Sequence, residues 1–176
     1  MRCADAADHM VRSSIAAAGG NNRRLKPATG WRDGVSTDDN ALREANIAHS
    51  RAMFSAFTPF EPGWVAGLHP DIVMEFPFGQ AVGLPAQVAG KDHCAGLFQL
   101  VATKLGLTFS DIEILGMADP NMILAQYNGE GAFAGKPYRQ KYITLLRFQG
   151  EQLVLYREFV DTQVVADAFG HLSAIV

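Results

Sequence analysis

The segment best suited to proton chemistry covers residues 153–161, which read LVLYREFVD and place charged groups among apolar ones. Its β-branched and aromatic residues predict a strand, in which successive side chains point to opposite faces of a sheet. Tyr156 and Glu158 therefore share one face with Val154 and Val160. The opposite face takes Arg157 together with three apolar residues, Leu153, Leu155 and Phe159.

Glu158 is the carboxylate that this alternation singles out. If its face is the concave one, the carboxyl lies among Phe, Met and Tyr side chains that solvate a charge poorly, so its pKa rises towards neutrality. A carboxyl with such a pKa both accepts and donates a proton, as a general acid–base group must. The alternative is an exposed Glu158 that pairs with Arg139 or Lys141 on a neighbouring strand.

Asp161 closes the same strand and is the second candidate carboxylate. It directly precedes residues 162–165, TQVV, which start a predicted helix. The first amides of a helix lack acceptors, and an Asp side chain at this point commonly caps them. Two roles therefore stay open for Asp161, one in the pocket and one as a helix cap.

The preceding predicted strand, residues 138–148, carries polar groups at alternate positions. One of its faces holds Tyr138, Gln140, Tyr142 and Thr144. A tyrosine hydroxyl or the Gln140 amide that points inward would stabilise a developing oxyanion next to the acid. The alternative for Tyr142 and for Tyr156 is packing alone, with their hydroxyls at the rim of the core.

Hydrophobic periodicity predicts the elements that bring these residues together. A first amphipathic helix follows Thr37-Asp38-Asp39 and stops before Pro59. A helical turn at residues 63–68 leads into a strand at residues 72–77, and Pro77 and Pro85 place that strand at a sheet edge or bend it away early. A further helix follows residues 90–92 and ends at Gly106.

Everything after Leu107 reads as antiparallel sheet followed by one helix. Turn signals separate four strands and a closing helix, predicted at residues 108–117, 122–133, 138–148, 152–160 and 162–169. Helices followed by a long meander are the α+β pattern, in which helices cover one face of a curved antiparallel sheet. The interior near the wide end of such a sheet is the predicted place for a small ligand.

Several apolar and aromatic residues are predicted to line the core or the ligand cavity: Trp64, Met74, Phe76, Phe78, Phe98, Leu100 and Tyr127. Tyr127 opens the segment YNGEG, residues 127–131. Its Gly-x-Gly lies within a strand rather than between a strand and a helix, so it is not a dinucleotide-binding fingerprint. Glycines at such a place favour a β-bulge that bends the sheet.

Composition narrows the classes of partner. The 176 residues include 48% hydrophobic and 19% charged ones, the balance of a globular protein, and residues 37–176 are predicted to form one domain. Residues 1–36 are rich in Gly, Asn and Arg without an apolar period and predict a loosely packed extension.

The net charge is −3, and the charged residues form no run of one sign, which argues against nucleic acid as a partner. No run is long enough to cross a membrane, and two unrelated cysteines favour the cytoplasm.

Four motifs in a fixed order resemble the nuclear transport factor two-like superfamily. They are HPDIV at residues 69–73, GKD at 90–92, GKPYRQKY at 135–142 and YREFVD at 156–161. Within that superfamily, residues 39–170 look most like the SnoaL-like polyketide cyclase and phenazine biosynthesis A/B branch. The resemblance implies a cone-shaped α+β barrel, also described as cystatin-like, with N-terminal helices packed in a curved antiparallel sheet.

The same resemblance implies roles for particular residues. Relatives place an acidic general acid or base where Glu158 stands, and in the cyclase-like branch the position of Asp161 also faces the pocket. Some relatives pair a His with the carboxylate, which makes His93 a candidate, although the first turn of a helix often points outward. Since no His has two further ligands at suitable spacing, no metal site is predicted.

The implied function is acid–base chemistry without a cofactor, as in an isomerase, dehydratase or cyclase. Its substrate would be a hydrophobic carbonyl or polycyclic compound. The alternative is a non-catalytic module that binds a small apolar ligand or dimerises. The resemblance also implies a homodimer that pairs through the outer face of the sheet.

Overall fold

The computed structural model describes residues 36–57 and 62–170, which form four helices and a six-stranded sheet. The helices are α1 (Thr37–Ala56), α2 (Pro62–Ala66), α3 (Lys91–Leu105) and α4 (Thr162–Phe169). The strands are β1 (Leu68–Glu75), β2 (Gln87–Ala89), β3 (Thr108–Gly116), β4 (Met122–Phe133), β5 (Lys136–Gln149) and β6 (Gln152–Val160), and a short 3₁₀ helix covers Gly79–Val82. The predicted α+β architecture is confirmed.

Local signals explain where the helices begin and end. Ser36 caps α1 by accepting a hydrogen bond from the amide of Asp39 at 2.9 Å. α3 ends at Gly106, whose φ of 55° lies in the left-handed region that glycine adopts without a steric penalty. The predicted bounds of β4, β6 and α4 agree with the structure. The predicted loose extension, residues 1–36, lies outside the described residues except for Ser36.

The sheet has the strand order β2-β1-β6-β5-β4-β3. Every neighbouring pair is antiparallel except β1 and β6, which run parallel. The antiparallel meander is therefore confirmed for β3 to β6, but the prediction of an edge position for β1 is wrong. The three-residue strand β2 covers the far side of β1, and β1 ends at Glu75, before Pro77.

One face of the sheet carries the core. Helices α1 and α3 pack against it, and its fully buried side chains include Ile72, Ile123 and Leu146. The alternation is regular along β5, where every second residue from Tyr138 to Phe148 is buried. Inward residues of β4, β5 and β6 therefore meet as neighbours on one surface.

Two predictions about strand faces need correction. A β-bulge shifts the pairing of β5 and β6 between Arg147 and Phe148, so that Leu153 turns into the core and Val154 turns outward, the reverse of simple alternation. For the glycines of residues 127–131, the predicted bulge does not lie in the pairing of β4 with β5. It lies in the pairing of β4 with β3, where the register shifts between Ser110 and Glu113, opposite Asn128 and Gln126.

None of the helices within residues 36–57 and 62–170 is long and apolar enough to cross a membrane.

Candidate active site

All four tyrosines of the chain gather on the inner face of three adjacent strands. They are Tyr127 on β4, Tyr138 and Tyr142 on β5, and Tyr156 on β6, and none exposes more than 6% of its surface. The register brings them together because Tyr127 lies opposite Tyr142, and Thr144 lies opposite Glu158. Glu158 thus stands beside a cluster that contains every phenol of the molecule.

A chain of hydroxyl groups ends on the Glu158 carboxyl. The Thr144 Oγ1 and Tyr127 hydroxyls are 3.0 Å apart, and the Tyr127 and Tyr156 hydroxyls are also 3.0 Å apart. The Tyr156 hydroxyl then donates to Glu158 Oε2 at 2.7 Å. The alternative of an exposed Glu158 paired with Arg139 or Lys141 is wrong, because both cations lie at exposed positions of β5, on the face opposite the tyrosines, and Arg139 pairs with Glu130.

Burial sets the protonation of Glu158. It raises the pKa of this carboxyl from 4.5 to about 7, and the hydrogen bonds from Tyr156 and Tyr127 offset part of that effect. The side chain nevertheless keeps part of its surface accessible. A carboxyl that lies deep among protein atoms and still meets solvent is a candidate for proton exchange with a ligand.

The tyrosines remain neutral phenols. Burial is the main reason that the pKa values of Tyr127, Tyr138, Tyr142 and Tyr156 rise, and the nearby Glu158 charge raises them further. A phenol that does not ionise keeps its hydrogen and can serve as a hydrogen-bond donor.

A second hydroxyl pair lies beside the first chain. The Tyr138 and Tyr142 hydroxyls are 3.3 Å apart. The Tyr142 ring stacks on the Tyr127 ring, with 5.0 Å between centroids and 14° between planes. Gly129 makes room for this stack, since a Cβ there would lie 2.7 Å from Tyr142 Cε2.

Aromatic side chains wall the cluster. Phe98 of α3 meets the Tyr156 ring edge-on at 4.9 Å and Trp64 at 4.2 Å. Phe54 and Phe109 pack on the Tyr127 ring at 4.5 and 4.9 Å. Two other predicted wall residues, Met74 and Phe76, are buried in the same core, and Met74 lies opposite Tyr156 in the register of β1 with β6. The prediction is wrong for Phe78 and Leu100, which expose 62% and 51% of their surface.

Two predicted site residues, Asp161 and His93, lie outside this cluster. The Asp161 side chain is exposed and accepts from the amide of Gln163 at 2.9 Å, so of its two open roles the structure has the helix cap. His93 is exposed at the start of α3, with Nδ1 3.2 Å from the Ala89 carbonyl oxygen. Gln140 is buried on the same inner face as the tyrosines and bonds to Tyr138. Its amide is also bound to backbone groups at both ends, including both the amide and the carbonyl of Asp161.

Two residues with a part in the site were not singled out from the sequence. The sequence places Thr144 on the inner face of its strand without assigning it a role. Its side chain is polar yet fully buried among tyrosines, which indicates that it needs a hydrogen-bond partner there. Gly129 belongs to the Gly-x-Gly motif, and its missing side chain leaves room for the aromatic ring of Tyr142. Within residues 36–57 and 62–170, no three His, Cys, Asp or Glu side chains cluster to hold a metal ion.

A groove of about 560 Å³ lies on the opposite face of the sheet. Its lining includes Val73, Glu75 and Leu155, the outward neighbours of the inward residues Met74 and Tyr156. The sheet therefore separates this groove from the Glu158 cluster, and the groove has no access to the hydroxyl chain.

Comparison with known proteins defines the class to which this fold belongs. The chain has the fold of the nuclear transport factor two-like superfamily in its SnoaL-like form, so the predicted resemblance is confirmed. No protein-family model matches the sequence. Among curated relatives, an uncharacterised PhzA/B-like protein of Pseudomonas aeruginosa is 29% identical over 114 residues, which cover 64% of this chain and 80% of that protein.

Solved structures agree on the fold. A Bacillus subtilis protein provisionally assigned as an isomerase has a TM-score of 0.66 at 24% identity, over 74% of this chain and 96% of its own. A Jannaschia protein provisionally assigned as a SnoaL-like polyketide cyclase has a TM-score of 0.60 at 16% identity, over 78% and 96%. A Mycobacterium tuberculosis protein in complex with estradiol-17β-hemisuccinate has a TM-score of 0.58 at 15% identity, over 68% and 96%.

Proposed function

We propose that the chain is an acid–base enzyme that needs no cofactor and acts on a hydrophobic carbonyl or polycyclic compound by isomerisation, dehydration or cyclisation. The observation that carries the proposal is the 2.7 Å hydrogen bond from Tyr156 to the buried carboxyl of Glu158. A structural role would be served as well by apolar side chains, whereas a buried carboxyl with a raised pKa costs stability.

The proton transfer follows from this geometry. Ionised Glu158 takes a proton from the carbon next to a carbonyl, and the electrons of that C–H bond move to the carbonyl oxygen to give an enolate. A tyrosine hydroxyl stabilises the enolate oxygen through a hydrogen bond. Neutral Glu158 then returns the proton to the same or another carbon, so the carboxylate is restored. With a pKa of about 7, Glu158 serves in both directions near neutral pH.

The substrate class rests on the walls of the cluster and on the fold. The side chains around Glu158 are phenols and the phenyl rings of Phe54, Phe98 and Phe109, which favour an aromatic or polycyclic body. One protein of the same fold is in complex with a steroid derivative. Both points support a hydrophobic ligand without identifying it.

Proton exchange tests the proposal without knowledge of the natural substrate. 2-Tetralone in D₂O exchanges its α-protons for deuterium whenever a base removes them, and NMR follows the loss of the proton signals. The wild type is expected to accelerate the exchange, and Glu158→Gln is expected to lose the acceleration. Glu130→Gln is the matched control, because Glu130 is exposed and pairs with Arg139. Equal rates in the wild type, Glu158→Gln and buffer contradict an acid–base role.

The second candidate is a non-catalytic binder of a small apolar ligand. The observation that favours it is the steroid-derivative complex of a protein with this fold. It predicts that 2-tetralone binds with a measurable Kd while its α-protons exchange no faster than in buffer. Titration calorimetry and the NMR experiment on the same sample therefore separate the two candidates.

We also propose that two copies pair through the outer face of the sheet. Leu115 and Ile143 expose 47% and 45% of their surface there, next to Leu124 and Leu145 in the strand register. An apolar face of neighbouring strands is the kind of surface that a second copy covers. Ile143→Lys is expected to give monomers in analytical ultracentrifugation, whereas Leu100→Lys, a change on the exposed side of α3, leaves the mass unchanged. A wild type that sediments as a monomer contradicts the pairing.

A further inference from the structure

We infer that the hydroxyl pair of Tyr138 and Tyr142 donates the hydrogen bond to the ligand oxygen, and that the chain of Thr144, Tyr127 and Tyr156 serves Glu158 alone. The inference rests on the proposed function and deepens it by assigning the donor. It follows from a count of hydrogens, because each hydroxyl group has one to donate.

The chain attached to Glu158 has no phenolic hydrogen to spare. Ionised Glu158 only accepts, so Tyr156 must donate to it. Tyr127 then donates to the Tyr156 oxygen or to Glu158 itself, and in either case its hydrogen is used. Thr144 completes the chain by donating to Tyr127.

Protonation of Glu158 reverses this chain without freeing a phenol. A carboxylic acid that donates to Tyr156 turns the hydrogen of Tyr156 towards Tyr127, and that of Tyr127 towards Thr144. The hydrogen released is that of Thr144, which is fully buried and out of reach of a ligand. Tyr127 and Tyr156 are therefore committed in both states of the acid.

The second pair has one hydrogen left over. Tyr138 and Tyr142 face each other at 3.3 Å, so one hydroxyl donates to the other and the second hydrogen is unused. The nearby Gln140 Oε1 cannot accept it, since the amides of Lys141 and Asp161 already donate to that oxygen. Within the described residues, no acceptor is bonded to this remaining hydrogen. A ligand oxygen supplies the missing acceptor.

Backbone geometry holds this donor close to the acid. Tyr142 lies opposite Val160, one inward position along β5 and β6 from the pair of Thr144 and Glu158. Its ring is fixed against Tyr127 by the stack that Gly129 allows. A carbonyl bound by this pair thus lies beside the base that removes its α-proton.

Paired ligands test the assignment in binding, independently of turnover. 2-Acetylnaphthalene and 2-isopropenylnaphthalene have nearly the same shape, since a C=CH₂ group replaces the C=O group, but only the ketone accepts a hydrogen bond. We expect the wild type to bind the ketone more tightly, and Tyr138→Phe/Tyr142→Phe to lose about tenfold of that preference, the worth of one hydrogen bond. Both hydroxyls are removed because either one alone still donates. The two hydroxyls bond to each other, and the Gln140 amide, which also bonds to Tyr138, keeps its partner at the Asp161 carbonyl, so we expect their joint removal to keep the fold.

Tyr127→Phe is the control, because it removes an equally buried hydroxyl from the series of hydroxyl groups that ends on Glu158. This variant should keep the ketone preference. Circular dichroism and thermal melting check that each variant folds. The assignment is overturned if the double variant keeps the preference, if Tyr127→Phe loses it, or if the wild type shows none. If the ketone preference depends on Tyr138 and Tyr142 but the protein does not accelerate proton exchange, the donor assignment holds and the proposed acid–base function is wrong. If the protein accelerates proton exchange but the preference does not depend on these tyrosines, the proposed function holds and the donor assignment is wrong.

Discussion

Replacing Glu158 with Gln should make the protein more stable at pH 8 and leave its stability nearly unchanged at pH 4.5. Burial raises the pKa of Glu158 from 4.5 to about 7, so between these values the native protein holds a proton that the unfolded chain has released. Stability therefore falls as the pH rises through this window and levels off above it. Gln is neutral at every pH and mimics the protonated acid, so the variant lacks this loss.

The size of the effect follows from the same pKa. At ~1.4 kcal/mol per pH unit, a rise from 4.5 to about 7 corresponds to about 3 kcal/mol of unfolding free energy. Partial access of the side chain to solvent reduces the cost of the charge. We therefore expect the variant to gain about 2 kcal/mol over the wild type at pH 8.

Urea unfolding at a series of pH values measures this difference. Fluorescence of the buried Trp64 reports the transition, and the difference between wild type and variant cancels every other titrating group. Glu130→Gln, at an exposed ion pair, should differ from the wild type by less than about 1 kcal/mol at all pH values. A difference for Glu158→Gln that does not change between pH 4.5 and 8, or that changes in the other direction, refutes a raised pKa for Glu158.

Two substitutions and one labelling experiment test further features of the structure. Gly129→Ala should push the Tyr142 ring off the Tyr127 ring and weaken the binding of 2-acetylnaphthalene, measured by calorimetry, because a Cβ at Gly129 would lie 2.7 Å from Tyr142; unchanged binding contradicts the stack as a positioning device. Asp161→Ala should cost about 1 kcal/mol in urea unfolding with no effect on ketone binding, as expected of a cap; lost binding would return Asp161 to the pocket. Cys94 should react with a thiol reagent only after unfolding, since it is fully buried and burial raises its pKa; rapid labelling of the native protein contradicts this.

Strand alternation made much of the site predictable from the sequence. A period of two puts Tyr138 and Tyr142 on the same face of β5, and Tyr156 and Glu158 on the same face of β6, so one inward residue on each strand places all four. The aromatic and apolar character of that face then implies a raised pKa for Glu158. These inferences need only local pattern and the chemistry of side chains.

Three other features depend on which strands pair and in which register, and the sequence of a single strand does not contain that information. The parallel contact of β1 with β6 joins residues about eighty positions apart. The bulge opposite Arg147 and Phe148 exchanges the faces of Leu153 and Val154, because it adds one residue to β6 alone. The hydroxyl bond of Tyr127 to Tyr156 crosses β5, since their strands are not neighbours.

The tyrosine cluster itself argues for function over packing. Phe at these four buried positions would fill nearly the same space and would not need to satisfy a hydroxyl group in the core. Instead the hydroxyls are arranged in two sets, one that is complete only with Glu158 and one that retains a hydrogen for an outside acceptor. A fold that needed these residues only for its core would be expected to satisfy every hydroxyl within itself. We therefore expect a ligand oxygen to bind beside Tyr138 and Tyr142.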